Sequence, residues 1–432
     1  MAGGILADGL LLNEHPLRRA LAGEVHARPY EQLAAPLRAS HLALLNDGQT
    51  LAAEHAFLAD LLAGHGAEPP GEGTNHLARD LGALRLRWER HGEFSTYTFL
   101  RSDRFDTPFE ANALDLVSRD WLDRLPGALI AATHFACDAT ERDGEALAAE
   151  FGGNPLIGSQ VVGGAGEVWT DFRLHADGFG RWLVRDCGLT RGQIGRIMQR
   201  LLEIETYRMM ALLAFPEARR TNAEVARMDR ALADIVVELA DPAIAQNDRE
   251  LLERLTSQAA EAERLEADTS FRLAAARAYY AIVESRIAEL REERIPGLQT
   301  IKEFTDRRLA PAMSTCQSAA ERQELLARRT ARAGDLLRTR VDIALEEKNR
   351  DLLHSMNKRA HLQLRLQETV EGLSVVAISY YLLGLTTYAI KGLKGMGMPL
   401  DPDVAALVAI PVILGGVALG VKRLRRALGK GD

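Results

Sequence analysis

The chain has 432 residues, a formal net charge of −7, 26% charged residues and 47% hydrophobic residues. This length allows two or three domains, and the apolar content is sufficient for a sizeable core. The negative charge and the lack of a basic-aromatic stripe exclude nucleic acid as an expected partner. Three widely separated cysteines give no disulfide framework and favour a reducing compartment: Cys137, Cys187 and Cys316.

The N-terminal region contains the motif Glu24-Val25-His26-Ala27-Arg28-Pro29. Pro29 favours an extended Arg28, so the motif is predicted to lie in a turn. The candidate residues of this motif are His26, Arg28 and Pro29. The sequence leaves open whether His26 and Arg28 bind an anion or shape a site, or only cap local carbonyls and pair with a nearby acid. Residues 1–23 lack the basic start and apolar core of a signal peptide, so we expect the soluble body of the protein to stay in the cytoplasm.

Residues 1–187 are predicted to form a cytoplasmic α/β domain around a mixed, mainly antiparallel sheet. Period-2 alternation, short apolar runs and turn residues indicate the strands, and Asp177-Gly178 is predicted to be a hairpin turn. Helical pieces are expected at 110–121 and 144–151. The predicted strands are 40–45, 84–89, 94–100, 128–134, 160–162, 168–174 and 179–184.

Three patterns in this domain are weak indications of chemistry. One pattern is a glycine cluster between two predicted strands, at Gly163, Gly164 and Gly166. A phosphate-binding glycine loop is followed by a helix N-terminus, and no helix follows here. His134 and Cys137 have metal-like spacing without a second pair. No nucleophile motif surrounds a serine. We therefore expect no enzyme activity and identify neither catalytic residues nor a cofactor motif.

Residues 188–318 change to a helical period, with breaks predicted at 215–216, 241–242, 296 and 311. Asn247 and Glu250 resemble a capping box that would start a long helix. These helices are rich in alanine, leucine and charged residues, which suits packing on one another or on partner subunits. The sequence does not decide between the two.

A single long helix is predicted from 319 to 390, where the chain has no proline. At 1.5 Å per residue it would extend roughly 105 Å. Its first part, 319–372, would form a stalk that is best stabilised by copies of itself in a coiled coil. One apolar stripe supports this interpretation: Leu337, Val341, Leu345, Leu352 and Met356.

Two apolar segments, 373–390 and 404–421, each have about the length that crosses a bilayer. With the short link 391–403 they predict a transmembrane hairpin within 373–421; a buried hairpin in a soluble core is the alternative. The excess of lysine and arginine outside the hairpin places both termini in the cytoplasm. A basic cytoplasmic ring is predicted in the tail 422–432, at Lys422, Arg423, Arg425 and Arg426.

Polar residues recur every seven positions along the first apolar segment and the turn before it. Polar groups are costly in lipid, so this seam should face protein or water. In a symmetric oligomer it would line a pore; alternatively the side chains bond backbone carbonyls or neighbouring helices. The candidate pore-lining residues are Gln367, Ser374, Tyr381 and Tyr388.

Three stretches resemble a bacterial family of uncharacterised membrane-anchored proteins, domain-of-unknown-function family 3422. They are residues 24–29, 202–209 and 355–359, the last followed by the first apolar segment. The resemblance covers nearly the whole chain. It implies a bacterial inner-membrane protein but no activity.

The order of elements is also similar to that of CorA-like divalent-cation channels. Those channels are homopentamers in which the first span lines the pore and a Gly-Met-Asn signature follows it. Here Gly395, Met396 and Gly397 stand at that place, so the asparagine that helps hold hydrated magnesium is missing. The resemblance implies a pentamer, a divalent cation, and external acidic residues Asp401 and Asp403 that attract cations.

Two functions follow as expectations. The first is a homo-oligomeric CorA-like membrane protein that conducts or regulates a cation. The second is a membrane-anchored scaffold whose long helices bind a cytoplasmic protein partner. The sequence names neither the ion nor the partner.

Overall fold

The structure is a computed structural model that describes residues 4–5, 11–12, 15–19, 21–22, 30–46, 48–240, 248–395 and 402–428. The chain divides into two units, Met1–Gly334 and Asp335–Asp432. The first is an α+β unit with a nine-stranded sheet, and the second consists of helices. The finer domain borders predicted from the sequence stay predictions.

The strands are numbered in chain order. They are β1 Gly4–Ile5, β2 Leu11–Leu12, β3 Leu37–Leu45, β4 His76–Asp80, β5 Arg85–Arg90, β6 Phe94–Arg101, β7 Ala128–Asp138, β8 Ile157–Val161, β9 Gly166–Thr170, β10 Gly180–Asp186 and β11 Glu293–Arg294.

The large sheet has the order β11-β8-β9-β10-β7-β3-β6-β5-β4, and β1 pairs separately with β2. Within the large sheet, β10 and β7 are parallel and the other neighbouring pairs are antiparallel. The prediction of a mixed, mainly antiparallel sheet is therefore confirmed. Sequence reasoning missed β4 and β11, which are short edge strands with little period-2 signal.

The connection between β9 and β10 differs from the predicted tight hairpin. The two strands pair from Gly166 with Asp186 to Trp169 with Leu183, so residues 171–179 form a longer loop. Gly178, at φ 82°, lies in a turn in which its N–H donates to the carbonyl of His175. The prediction that Asp177-Gly178 joins two adjacent strand ends was wrong, because β9 already ends at Thr170.

The helices are likewise numbered in chain order. They are α1 Leu51–Gly64, α2 Arg119–Leu122, α3 Gly144–Glu150, α4 Arg191–Leu212, α5 Ala214–Ala240, α6 Asp248–Leu290, α7 Ile301–Arg308, α8 Ala310–Gly395 and α9 Pro402–Leu428, with a 3₁₀ helix at Ala113–Leu116. The piece predicted at 110–121 is thus two short helices, and Asn112 caps the first.

The long helix α8 was predicted in kind but not in extent. It starts before residue 319 and ends after residue 390. Pro311, which the sequence suggested as the end of a helical pattern, instead lies in the first turn of α8. Proline is tolerated there because the first turn leaves its N–H groups without intrahelical partners.

Helices cover both faces of the sheet because its side chains alternate between the two faces. On one face, Leu37 and Ala39 of β3 pack with α4, α6 and the start of α8. On the other, Leu42 and Leu44 pack with α1 and α2. The ring of Phe57 stacks on that of Trp121 at 4.4 Å, which closes this second layer.

Beyond the sheet, α5, α6 and the start of α8 pack on one another within the first unit. Arg254 of α6 forms an ion pair with Glu238 of α5 at 2.7 Å. Arg322 of α8 donates to Asn222 of α5 at 3.1 Å. Part of the apolar surface of the predicted helical region is therefore buried within one chain. Contacts between chains stay a prediction.

Candidate functional site

Two described helices are long and apolar enough to cross a membrane. One apolar window lies within Ile301–Leu393 and the other is Ala406–Arg423. The criterion uses length and composition alone, and core helices of soluble proteins also meet it. Here, however, only 6% of the first window and 0% of the second are buried within the chain. The described residues therefore do not bury these segments as core helices.

The two apolar helices contact each other through a limited set of side chains. Val376, Ser379 and Leu383 of α8 face Ile410 and Leu414 of α9 across a cavity of about 180 Å³. The Ser379 side chain is buried, and its hydroxyl has no hydrogen-bond partner. This contact defines which face of α8 packs on α9.

The predicted pore-lining residues lie on a different face of α8. At 100° per residue, the seam of Gln367, Ser374, Tyr381 and Tyr388 is roughly 160° around the helix from the cavity-lining residues. Tyr381 and Tyr388 are 72% and 76% exposed. The Ser374 hydroxyl donates to the carbonyl of Val370 at 2.8 Å. The four residues thus share one face, and that face does not contact α9.

The seam also borders a notch on the surface of α8. Gly384 has no side chain, and around it Tyr380, Tyr381, Thr387 and Tyr388 line a groove of about 510 Å³. The three tyrosine side chains thus surround the position of Gly384. Among the described residues, only side chains of α8 line this groove.

The other predicted site residues are only partly within the described chain. Gly395 is the last residue of α8, and Lys422 and Arg423 are exposed near the end of α9. Asp403, Arg425 and Arg426 lie in α9, but their side chains are not described. The remaining candidates lie outside the described residues: His26, Arg28, Pro29, Met396, Gly397 and Asp401.

Sequence reasoning missed a polar cleft between the sheet and α4. At its floor, His41 of β3 joins Thr98 of β6 (Nδ1 to Oγ1, 2.8 Å) and Thr206 of α4 (Nε2 to Oγ1, 3.0 Å). Burial lowers the pKa of His41 from 6.5 to about 3, so its ring is neutral at physiological pH. No motif marks these three residues, because sheet register and helix packing bring them together.

Charged side chains form the rim of the same cleft. Arg87 pairs with Glu89 at 2.7 Å and donates to Gln199 of α4 at 3.3 Å. Gln199 donates to Glu203 at 2.7 Å, and Glu203 pairs with Arg286 of α6. The cleft holds about 40 Å³, which is room for roughly three water molecules. The network connects β5, α4 and α6.

One of the stretches that carry the family resemblance, 202–209, lies in α4 at this cleft. Leu202, Glu203, Thr206 and Tyr207 line it. In the same stretch, Arg208 pairs with Glu205, and its guanidinium lies 5.2 Å from the centre of the Phe172 ring. The stretch therefore joins α4 to the sheet through polar contacts.

The hydroxyl–imidazole pair nearest to a catalytic arrangement is Ser40 with His134. The Ser40 hydroxyl oxygen is 2.9 Å from His134 Nδ1, and His134 Nε2 is 3.9 Å from Asp177. A serine hydrolase needs an accessible hydroxyl and an acid hydrogen-bonded to the other ring nitrogen. Ser40 is fully buried, and 3.9 Å is too long for that bond.

The metal-like spacing of His134 and Cys137 does not bring them together. They lie three residues apart on β7 and point to opposite faces, since strand side chains alternate. Cys137 is in the apolar core, where burial raises the pKa of its thiol. Among the residues that the structure describes, no group of three or more histidine, cysteine, aspartate or glutamate side chains is placed to hold a metal ion.

The comparisons identify a family without assigning an activity. No curated protein is significantly similar to the chain. The model of the family described as "Protein of unknown function (DUF3422)" matches residues 13–428. That match covers nearly the whole chain, including the α+β unit, the long helix and both apolar segments. The chain therefore belongs to the DUF3422 family of proteins of unknown function.

Proposed function

We propose that the protein is a homo-oligomer of the bacterial inner membrane with a CorA-like plan. In this proposal α8 and α9 cross the bilayer as a hairpin, and copies of α8 surround a path for a cation. The observation that carries the proposal is the position of Tyr381, which lies at the middle of the first apolar segment and faces away from α9.

Depth in the bilayer makes this position informative. In a helix spanning residues 373–390, Tyr381 is about 12 Å from either end, in a hydrocarbon core about 30 Å thick. Tyrosines of the interfacial belt lie near the ends of a span, as Tyr388 does, and not at its centre. A phenol hydroxyl in hydrocarbon is costly unless it finds a partner. Water in a central path or a second copy of α8 would supply one.

Charge supports the proposed orientation. Lys358, Arg359 and Arg365 precede the first apolar segment, and the basic tail follows the second. Both basic clusters flank the hairpin at its open end, and an excess of positive residues favours the cytoplasmic side. Both termini would therefore lie in the cytoplasm. The link 391–403 would then lie outside, where Asp401 and Asp403 would concentrate cations at the mouth of the path.

Ion flux into proteoliposomes tests the proposal. A purified oligomer should conduct at least one monovalent or divalent cation. The Tyr381→Leu variant should change the flux several-fold, because it removes a hydroxyl from the path. Ser379→Ala is the matched control, since Ser379 faces α9 and its loss should leave the flux unchanged. No flux of any cation through an oligomer of verified stoichiometry would refute conduction.

A membrane-anchored scaffold is the second candidate, in which the apolar stripe of the stalk binds another protein instead of copies of itself. Large apolar side chains remain exposed along α8 before the membrane, among them Leu345, Leu352 and Met356 at 57%, 61% and 65%. Apolar surface of this kind is typical of a partner-binding face. Cross-linking in native membranes followed by mass spectrometry should then recover a cytoplasmic protein in fixed ratio. Recovery of self-contacts alone would contradict this alternative.

A further inference from the structure

The groove around Gly384 has one charged end. Lys391 of α8 lines the groove together with Tyr381 and Tyr388, and the Lys391 side chain is exposed. Lys391 follows Tyr388 by three residues, which is about 4.5 Å along the helix axis and about 60° around it. An ammonium group therefore lies beside the last tyrosine of the seam, where the first apolar segment ends.

No neighbour neutralises this charge. Among the groove residues that the structure describes, Lys391 alone is charged, and the others are tyrosine, leucine, glycine and threonine. No ion pair or hydrogen bond joins its ammonium group to a residue in the described ranges. By comparison, the exposed Lys302 of α7 pairs with Asp306 at 2.6 Å. Lys391 thus presents its full charge to whatever occupies the groove.

The acidic residues of the link lie at its other end in the sequence. The link 391–403 carries two lysines and two aspartates, so its formal charge is zero: Lys391, Lys394, Asp401 and Asp403. Asp401 directly precedes α9 and Asp403 lies within it, whereas Lys391 lies in α8. An ion that moves along the tyrosine face of α8 therefore meets the lysine, and the position of each charge matters more than their sum.

The consequence rests on the proposed function, in which copies of α8 place the tyrosine seam around a cation path. Each copy then contributes one Lys391 to a positive ring at the outer mouth. The electrostatic energy of an ion scales with its charge, so such a ring opposes a divalent cation twice as strongly as a monovalent one. A ring that lowers the local concentration of a monovalent cation about threefold lowers that of a divalent cation about ninefold.

The seam behind the ring gives a divalent cation no compensation. It offers amide and hydroxyl oxygens and no carboxylate, from Gln367, Ser374, Tyr381 and Tyr388. Magnesium gives up its water reluctantly, and proteins bind it through one or two carboxylates. For a monovalent cation such as potassium, neutral oxygen atoms can replace the hydration shell. The neutral seam therefore suits a monovalent cation better.

We propose that Lys391 determines the ion specificity of the path and makes it select monovalent over divalent cations. The positive ring excludes divalent cations at the outer mouth, and the neutral seam conducts the monovalent cations that pass the ring.

Paired flux measurements test this role. Proteoliposomes with the full-length protein take up K⁺ in one series and Mg²⁺ in the other, at an ionic strength of about 10 mM, where the Debye length is about 30 Å. Lys391→Gln should raise the K⁺ flux about threefold and the Mg²⁺ flux by the square of that factor, about ninefold. At about 150 mM, where the Debye length is about 8 Å, both gains should shrink. Lys391→Arg is the matched control, since it keeps the charge and should leave the ratio of the two fluxes unchanged.

The outcomes separate this inference from the function on which it rests. If a verified oligomer of the unmodified protein conducts no cation, the path is refuted and the inference with it. If the protein conducts but Lys391→Gln leaves the ratio of K⁺ to Mg²⁺ flux unchanged, only the role of Lys391 is refuted. A Mg²⁺ flux above the K⁺ flux in the unmodified protein would refute that role as well. Size-exclusion chromatography verifies that each variant keeps the oligomer of the unmodified protein.

Discussion

The imidazole of His41 joins the hydroxyl of Thr206, with 3.0 Å between Nε2 and Oγ1, although 165 residues separate them in the sequence. The other ring nitrogen, Nδ1, is hydrogen-bonded to the Thr98 hydroxyl at 2.8 Å. A neutral imidazole has one donor and one acceptor, and a hydroxyl can serve either role. These contacts attach α4 to β3 through a ring that burial keeps uncharged at neutral pH.

This contact predicts acid sensitivity of the first unit. The unfolded chain binds a proton at His41 near pH 6.5, whereas burial lowers the folded pKa to about 3. The stability that His41 contributes is therefore fully present above pH 6.5 and is lost as the pH falls towards 3. At pH 5 the loss is about 2 kcal/mol. His134, whose pKa burial lowers to about 4, acts in the same direction.

Urea unfolding followed by tryptophan fluorescence measures this effect, since all four tryptophans lie in the first unit. Between pH 7 and pH 5, the free energy of unfolding should fall clearly less in the His41→Gln variant than in the unmodified protein. His65→Gln, which changes an exposed histidine at the end of α1, should keep it. An unchanged pH dependence in His41→Gln would show that His41 is not the group that titrates.

The same residues show where prediction from the sequence stops. The sheet, its mainly antiparallel pairing and the long helix follow from local period and turn residues, which the sequence displays directly. His41, Thr98 and Thr206 carry no local pattern, because only strand register and the packing of α4 bring them together. Glu31 is similar: its backbone carbonyl lies against Gly195, which is 164 positions away along the chain.

Gly195→Ala should destabilise the first unit. The added methyl group would overlap the carbonyl oxygen of Glu31, 1.9 Å from the ideal Cβ position, so residues 31–33 must move off α4. The expected cost is about 1–3 kcal/mol, as for other overpacked sites. Urea unfolding measures it, and Gly144→Ala serves as the control because nothing lies within 4 Å of the added atom. Equal stability of the two variants would mean that α4 and residue 31 are not in close contact.

Membrane topology gives a third prediction. In the proposed orientation, Lys391 lies at the outer end of the first apolar segment, so Lys391→Cys should react with a membrane-impermeant maleimide added to intact cells. Arg423→Cys, after the second segment, should react only once the inner membrane is opened, because the proposal puts the basic tail in the cytoplasm. Variants in which Cys137, Cys187 and Cys316 are replaced by serine provide the background. Labelling of both positions in intact cells would contradict the hairpin orientation.

The two faces of α8 give the last prediction. Ser379 packs towards α9, whereas Tyr381 lies on the exposed seam. If copies of α8 meet along the seam, Tyr381→Cys in the cysteine-free background should form disulfide-linked dimers in membranes under mild oxidation. Ser379→Cys should not, because α9 of the same chain covers it. The two positions differ by only about 3 Å along the helix axis, so the comparison mainly reports orientation. Efficient cross-linking through residue 379 but not through residue 381 would show that copies of α8 meet through the face that carries Ser379. The tyrosine seam would then not line a central path, and the proposed path would be refuted.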